Sequence, residues 1–148
     1  MTRAAAITAL LLCLLPGAAQ AASGGASCTT SATTVAFGSF NPFGSAVTST
    51  GTISVTCSGG NINSAYTIAL SKGSGTFAQR LMNSILKYNL YTTSSYTTIW
   101  GDGTGGSTTV SGTNGHTTNN YTVYGQIPAP QGVAPNNYSD TITVTVTY

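Results

Sequence analysis

The sequence predicts an all-β sandwich. Side chains alternate apolar and polar with a period of two in segment after segment. Clusters of Gly, Asn, Pro and Ser punctuate those segments, and no window carries the spacing of a useful amphipathic helix. Thr, Val, Ile and Tyr fill the alternating runs, and these residues suit a pleated, half-buried surface.

The first element is not part of that sandwich. Met1-Thr2-Arg3 precedes an apolar run from Ala4 to Leu15, interrupted only by Thr8. Pro16-Gly17 ends the run, and Ala19-Gln20-Ala21 places small residues at a cleavage spacing. This charged, apolar, small-residue order is that of a secretory signal peptide. At about 12 residues the run falls short of the ~20 needed for a spanning helix. Residues 1–21 are therefore expected to be cleaved. Residues 22–148 remain as one exported domain without a membrane span.

The strands follow in order. Val35 and Phe37 alternate with small residues, then Ile53, Val55 and Cys57 with Thr52, Ser54 and Thr56. Tyr66, Ile68 and Leu70 come next, then Leu86, Tyr88 and Leu90, then Tyr121, Val123, Gly125 and Ile127. The clearest run is last: Ile142, Val144, Val146 and Tyr148, each separated by Thr. Short strands with regular turns argue for a sandwich or barrel.

Cys13 leaves with the predicted leader. Cys28 and Cys57 remain as an even pair in an oxidising compartment, 29 positions apart. They are expected to form a structural disulfide worth ~3.6 kcal/mol in the chain-entropy model. They lack the close spacing and neighbouring charge of a redox pair.

Composition narrows function sharply. Charged residues make up 4% of the chain, against roughly 25% in ordinary soluble domains. The two acidic residues, Asp102 and Asp140, leave little for a paired-carboxylate hydrolase. Cys and His are too few for a structural zinc site. Four Lys and Arg in all cannot form a phosphate-binding stripe, so nucleic acid is not an expected partner. No cofactor, metal or catalytic residue is expected, and the protein is read as a non-enzyme. Gly101 to Gly106 lacks the Lys of a P-loop and the Asp and Glu pattern of a calcium loop, so it reads as an inter-strand loop with Asp102 capping its own turn. His116 lies in a loop without a nucleophile elbow and reads as solvated.

The terminal run suggests an open sheet. An immunoglobulin-like sandwich has about seven strands, and Ile142 to Tyr148 occupies what looks like the sixth. A missing strand would expose core side chains and unpaired backbone groups, a defect remedied by an extended segment from another chain. The simpler alternative is a complete sandwich whose last strand pairs with its own first strand.

A family resemblance bears on that choice. It is carried by Cys28 with Val35-Ala36-Phe37-Gly38, by Gly51-Thr52-Ile53-Ser54-Val55-Thr56-Cys57, and by Tyr88-Asn89-Leu90-Tyr91. Trp100-Gly101-Asp102-Gly103-Thr104-Gly105-Gly106, Tyr124-Gly125-Gln126-Ile127-Pro128 and the closing Tyr138 to Tyr148 complete it. In these features the sequence resembles the spore coat protein U (SCPU) domain family, which includes pilins of the archaic, Csu-type chaperone–usher pili. The resemblance implies an immunoglobulin-like β-sandwich lacking its last strand. It also implies a periplasmic chaperone that lends a strand, an outer-membrane usher, and a neighbouring pilus subunit that replaces the chaperone strand. Val35, Phe37, Ile142, Val144, Val146 and Tyr148 are then the expected lining of the groove and the chaperone-binding edge. A polymerising subunit of this type should carry an alternating apolar donor segment before its first Cys, yet Ala22 to Ser27 reads Ala-Ser-Gly-Gly-Ala-Ser. That departure suggests a subunit at the tip of a fibre.

Two functions compete. One is a structural or tip-adhesive pilus subunit displayed at the cell surface, supporting attachment and biofilm formation. The other is a free secreted immunoglobulin-like module that binds carbohydrate or matrix. Tyr91, Tyr96 and Trp100 flank a Thr/Ser-rich stretch and are the candidate surface-binding aromatics, with core packing as the ordinary alternative.

Overall fold

A computed structural model describes residues 25–61 and 63–148, together with the backbone pairing of residues 5–7 and 11–13. The predicted cleavage site after Ala21, and Ala22 to Gly24 of the predicted linker, lie outside the described residues. Among the described residues every regular element is a strand: β1 (Ala5–Ile7), β2 (Leu11–Cys13), β3 (Ser27–Ala32), β4 (Gly38–Phe40), β5 (Val47–Ser58), β6 (Ala65–Leu70), β7 (Arg80–Met82), β8 (Leu86–Tyr91), β9 (Val110–Thr113), β10 (Thr118–Ile127) and β11 (Thr141–Thr147). Among these residues no helix is long and apolar enough to cross a membrane.

Two sheets make the sandwich. One has the order β3-β5-β10-β8-β7, the other β2-β11-β6-β9, and β1 and β4 form a separate pair. The spine is the antiparallel ladder of β5 and β10, paired from Thr118↔Thr56 to Ile127↔Val47. Alternation explains its two faces. Ile53, Val55 and Cys57 of β5 and Val123 and Ile127 of β10 point into the core, while Ser54, Thr56, Tyr124 and Gln126 between them face outward. The second sheet supplies Tyr66, Ile68, Leu70, Ile142 and Val144 to the same core.

Val35 and Phe37 are core residues, 0% and 6% exposed, but they do not form the regular first strand expected of them. Val35 makes an isolated bridge, and the regular ladder resumes only at Gly38. The segment instead crosses closely over two glycines. A Cβ on Gly125 would lie 2.6 Å from the Phe37 ring and 2.8 Å from Val35, and one on Gly51 would lie 2.8 Å from Val35. Glycine at both positions is what lets this segment lie against the sheet.

A tyrosine fixes the entry to β11. Tyr138 is buried, and its hydroxyl donates to the carbonyl of Ala134 at 2.6 Å. A buried Tyr bonded back to the chain just ahead of a strand is the tyrosine corner of immunoglobulin-like sandwiches.

Candidate functional site

The candidate site is the edge of β11 together with the edge of β4, to both of which the N-terminal stretch is paired. The N–H of Thr143 and its carbonyl both bond to Ser71, beyond the end of β6. Thr145 and Thr147 pair with Ala69 and Thr67 of β6. By strand alternation, Ile142, Val144 and Val146 turn their backbone N–H and C=O groups to the opposite edge. Their side chains point into the sandwich: Ile142 and Val144 are buried, and Val146 and Tyr148 are half-buried against the core. Tyr148 itself lies just past the end of β11. Residues that line the core therefore also present the hydrogen-bonding edge.

The start of that edge, at Thr141 to Thr143, is occupied by the N-terminal segment. β2 runs parallel to β11, with Thr141↔Leu11, Ile142↔Leu12 and Thr143↔Cys13, while β1 pairs antiparallel with β4 from Ala5↔Phe40 to Ile7↔Gly38. One short stretch of chain thus pairs with both β4 and β11, and it belongs to the leader predicted for removal. The sequence reading did not foresee an occupant from this segment.

Asp140 anchors the start of β11, a role its sequence context did not reveal. It is 8% exposed; its Oδ2 accepts the Tyr88 hydroxyl at 2.7 Å, both oxygens accept Ser74 N–H at 3.2 Å, and Oδ1 accepts Thr141 N–H at 2.9 Å. Burial, with the Asp140 hydrogen bond as a second cause, pushes the Tyr88 phenol far above its ordinary range. Phe37 meets the Tyr88 ring edge-on at 6.3 Å, linking this anchor to the crossing segment.

Nearby, Arg80 is fully buried, which sequence alone gave no reason to expect. Its guanidinium donates to the carbonyls of Ser71 and Trp100 and to Asn89 Oδ1, and lies 5.4 Å from the Phe77 ring centroid. Burial pulls its pKa down, against the opposing pull of Tyr88 and Asp140. Asn89 in turn donates to Phe77 O, so the cation is wrapped in neutral acceptors.

The expected surface aromatics divide. Trp100 is 1% exposed and its Nε1–H donates to Ile68 O at 3.0 Å, so it is a core residue and offers no surface face. Its indole finds a backbone acceptor inside, which a composition-based reading of the surrounding Thr and Ser could not show. Tyr91 and Tyr96 are half-buried and pack edge-to-face at 5.6 Å, and Tyr96 packs likewise on Tyr124 at 6.5 Å. Asp102 caps its own loop, and His116 stays at the surface. Asp102 Oδ1 accepts the N–H and hydroxyl of Thr104, which hold its carboxyl below the usual range. His116 is exposed, with Nε2 3.1 Å from Gly59 O. Among the described residues no group of three His, Cys, Asp or Glu is placed to hold a metal ion.

Cys28 and Cys57 are bonded. They are direct register partners on β3 and β5, with Cα atoms 4.0 Å apart.

Comparison with known proteins agrees with this architecture. The Spore Coat Protein U domain matches residues 18–145, and the chain belongs to that family. No match is found among curated proteins. Among solved structures the chain is similar to one chain of the CsuC–CsuE chaperone–tip adhesion subunit pre-assembly complex from archaic chaperone–usher Csu pili of Acinetobacter baumannii. The two are 26% identical with a TM-score of 0.58, over 83% of this chain and 40% of that one. The chain thus spans well under half the length of that relative.

Proposed function

We propose that this protein is an exported, non-enzymatic subunit of a chaperone–usher pilus, whose sandwich is completed by a strand inserted between β4 and β11. The observation that carries the reading is the N-terminal stretch lying on both edges. Removal of residues 1–21 as a signal peptide would bare the backbone groups of Ile142, in line with those of Val144 and Val146, which β2 does not reach, and a periplasmic chaperone would supply the replacement strand. An outer-membrane usher would then exchange that strand for one from a neighbouring subunit. Membership of the Spore Coat Protein U domain family and the likeness to a chaperone–subunit complex support this assignment. Placement at the fibre tip, with a role in attachment and biofilm formation, follows from the Gly-rich Ala22 to Ser27, which has no large apolar side chains to donate.

The test is export of the precursor to a bacterial periplasm without partners, followed by thermal unfolding with and without an alternating apolar peptide. Aggregation or proteolysis alone, with strong stabilisation by the peptide, is the expected result. Val146→Asp, which puts a carboxylate into the half-buried side of β11, should abolish the peptide effect while leaving signal cleavage intact. A stable oxidised monomer indifferent to the peptide would replace this reading with a self-complete secreted module.

A further inference from the structure

The outer face of three strands of the five-stranded sheet, β3, β5 and β10, is uncharged. β3, β5 and β10 contain no Asp, Glu, Lys, Arg or His. Direct partners across β5 and β10 place Thr52 beside Thr122 and Ser54 beside Asn120 on this face. Ser54 Oγ donates to Asn120 Oδ1 at 2.7 Å, so the array is fixed by its own bonds. The row then turns aromatic: Thr50 partners Tyr124, which partners Tyr91 on β8, and Tyr96 packs edge-on against both rings.

Tyr96 is held in place at a cost. Its φ is 54°, in the left-handed region that side chains other than Gly rarely adopt. The loop around it is closed by Thr92 N–H to Thr98 O, Tyr96 N–H to Thr93 O, and hydroxyl contacts linking Thr93, Ser95 and Thr97. Beside Tyr91 opens a cleft of about 210 Å³, bordered by Gln79, Asn89 and Pro128, with Lys87 its one charged side chain. That is below the ~300 Å³ at which pockets for drug-sized ligands begin, and suits one ring of a longer polymer.

We propose that this face binds a neutral polysaccharide, with one sugar ring in the cleft at Tyr91 and the chain continuing over Tyr96 and Tyr124 onto the hydroxyls of β5 and β10. The match is one of charge and hydrogen bonding. Hydroxyls and amides both donate and accept, as a polyol does, and tyrosines offer rigid amphipathic area. An acidic polymer would meet no run of cations. A second copy of this chain would bury hydroxyls without the apolar centre a stable dimer needs. The site uses no residue of β4 or β11, so the proposal stands or falls apart from the pilus reading.

The test is affinity electrophoresis and pelleting of the oxidised exported chain with cellulose, chitin and mannan, using alginate and heparin as charged controls. Binding to a neutral polymer and not to the charged ones is expected. Tyr96→Gly removes the ring at a backbone conformation Gly tolerates, and should weaken binding at least tenfold with the disulfide and circular dichroism unchanged. Thr122→Lys, on an exposed strand position, should also weaken it, and Tyr96→Phe should retain it. Failure on all three neutral polymers, preference for alginate or heparin, undiminished binding by both Tyr96→Gly and Thr122→Lys, or self-association in place of binding would overturn the proposal.

Discussion

The N–H of Thr143 donates to the hydroxyl of Ser71 at 2.9 Å and not to its carbonyl, because that carbonyl already receives Nε and Nη2 of Arg80 at 3.2 and 2.9 Å. A single residue thus serves two clients. Its backbone oxygen accepts two hydrogen bonds from a buried cation, and its side chain takes over the ladder position that the oxygen vacated. Ser71 connects the polar centre of the core to the strand on which the candidate site depends.

Ser71→Ala leaves Thr143 N–H without its acceptor. A loss of about 1–3 kcal/mol is expected, read as a lower denaturant midpoint. Hydrogen exchange at Thr143 should accelerate more than at Val123 in the opposite sheet. Unchanged exchange would show that another acceptor replaces the hydroxyl.

Gly125→Ala forces a methyl against Phe37 and Val35. Overpacking of this kind costs about 1–3 kcal/mol. The companion Phe37→Leu should recover part of the loss by shortening the obstructing side chain, and a double-mutant cycle measures the recovery. Strict additivity would separate the two sites.

Cys57→Ser opens the link between β3 and β5. With the cysteines 29 positions apart, about 3.6 kcal/mol is expected to be lost. Cys28→Ser and the double substitution should show the same loss, since each removes the same bond. Denaturant unfolding of the oxidised and reduced chains checks this without mutation.

Alkali should be more damaging than mild acid. The phenols of Tyr88 and Tyr121 are pushed above their ordinary value, chiefly by burial and then by bonds to Asp140 and Tyr66. The folded state therefore holds protons that the unfolded state releases above about pH 10. Stability from these groups is fully present below that pH and declines as pH rises beyond it. A urea midpoint that falls from pH 10 upward is the expected result, and a flat midpoint would assign no such role to them. In Tyr88→Phe the alkaline decline should be smaller.

Much of this architecture was legible because burial imposes a period of two. β5, β6, β8, β10 and β11 each announce themselves through Ile, Val, Leu or Tyr spaced by polar residues. β4, β7 and β9 have three or four residues, too few to show a period, and they are strands because a neighbour offers them a ladder. The apolar side chains expected at the groove do line the core, but the partners that hold them were hidden. Nothing in Gln79-Arg80-Leu81 signals a buried cation, and Asp140 looks like any turn acid until Tyr88 and Ser74 arrive from distant parts of the chain. For the same reason the sequence leaves Trp100 open between surface and core, since its acceptor is the carbonyl of Ile68.

The bond between Cys28 and Cys57 also sets a mechanical route through the molecule. A pull on the chain ahead of Cys28 need not peel β3 away one hydrogen bond at a time, because the covalent link passes tension directly to Cys57. From there it enters the middle of the five-stranded sheet, along the ladder that runs from Thr56↔Thr118 to Val47↔Ile127. Those bonds are then strained together in shear, not opened in sequence like a zipper. A domain joined to others through its N-terminal end would in this way resist traction with its longest strand pair.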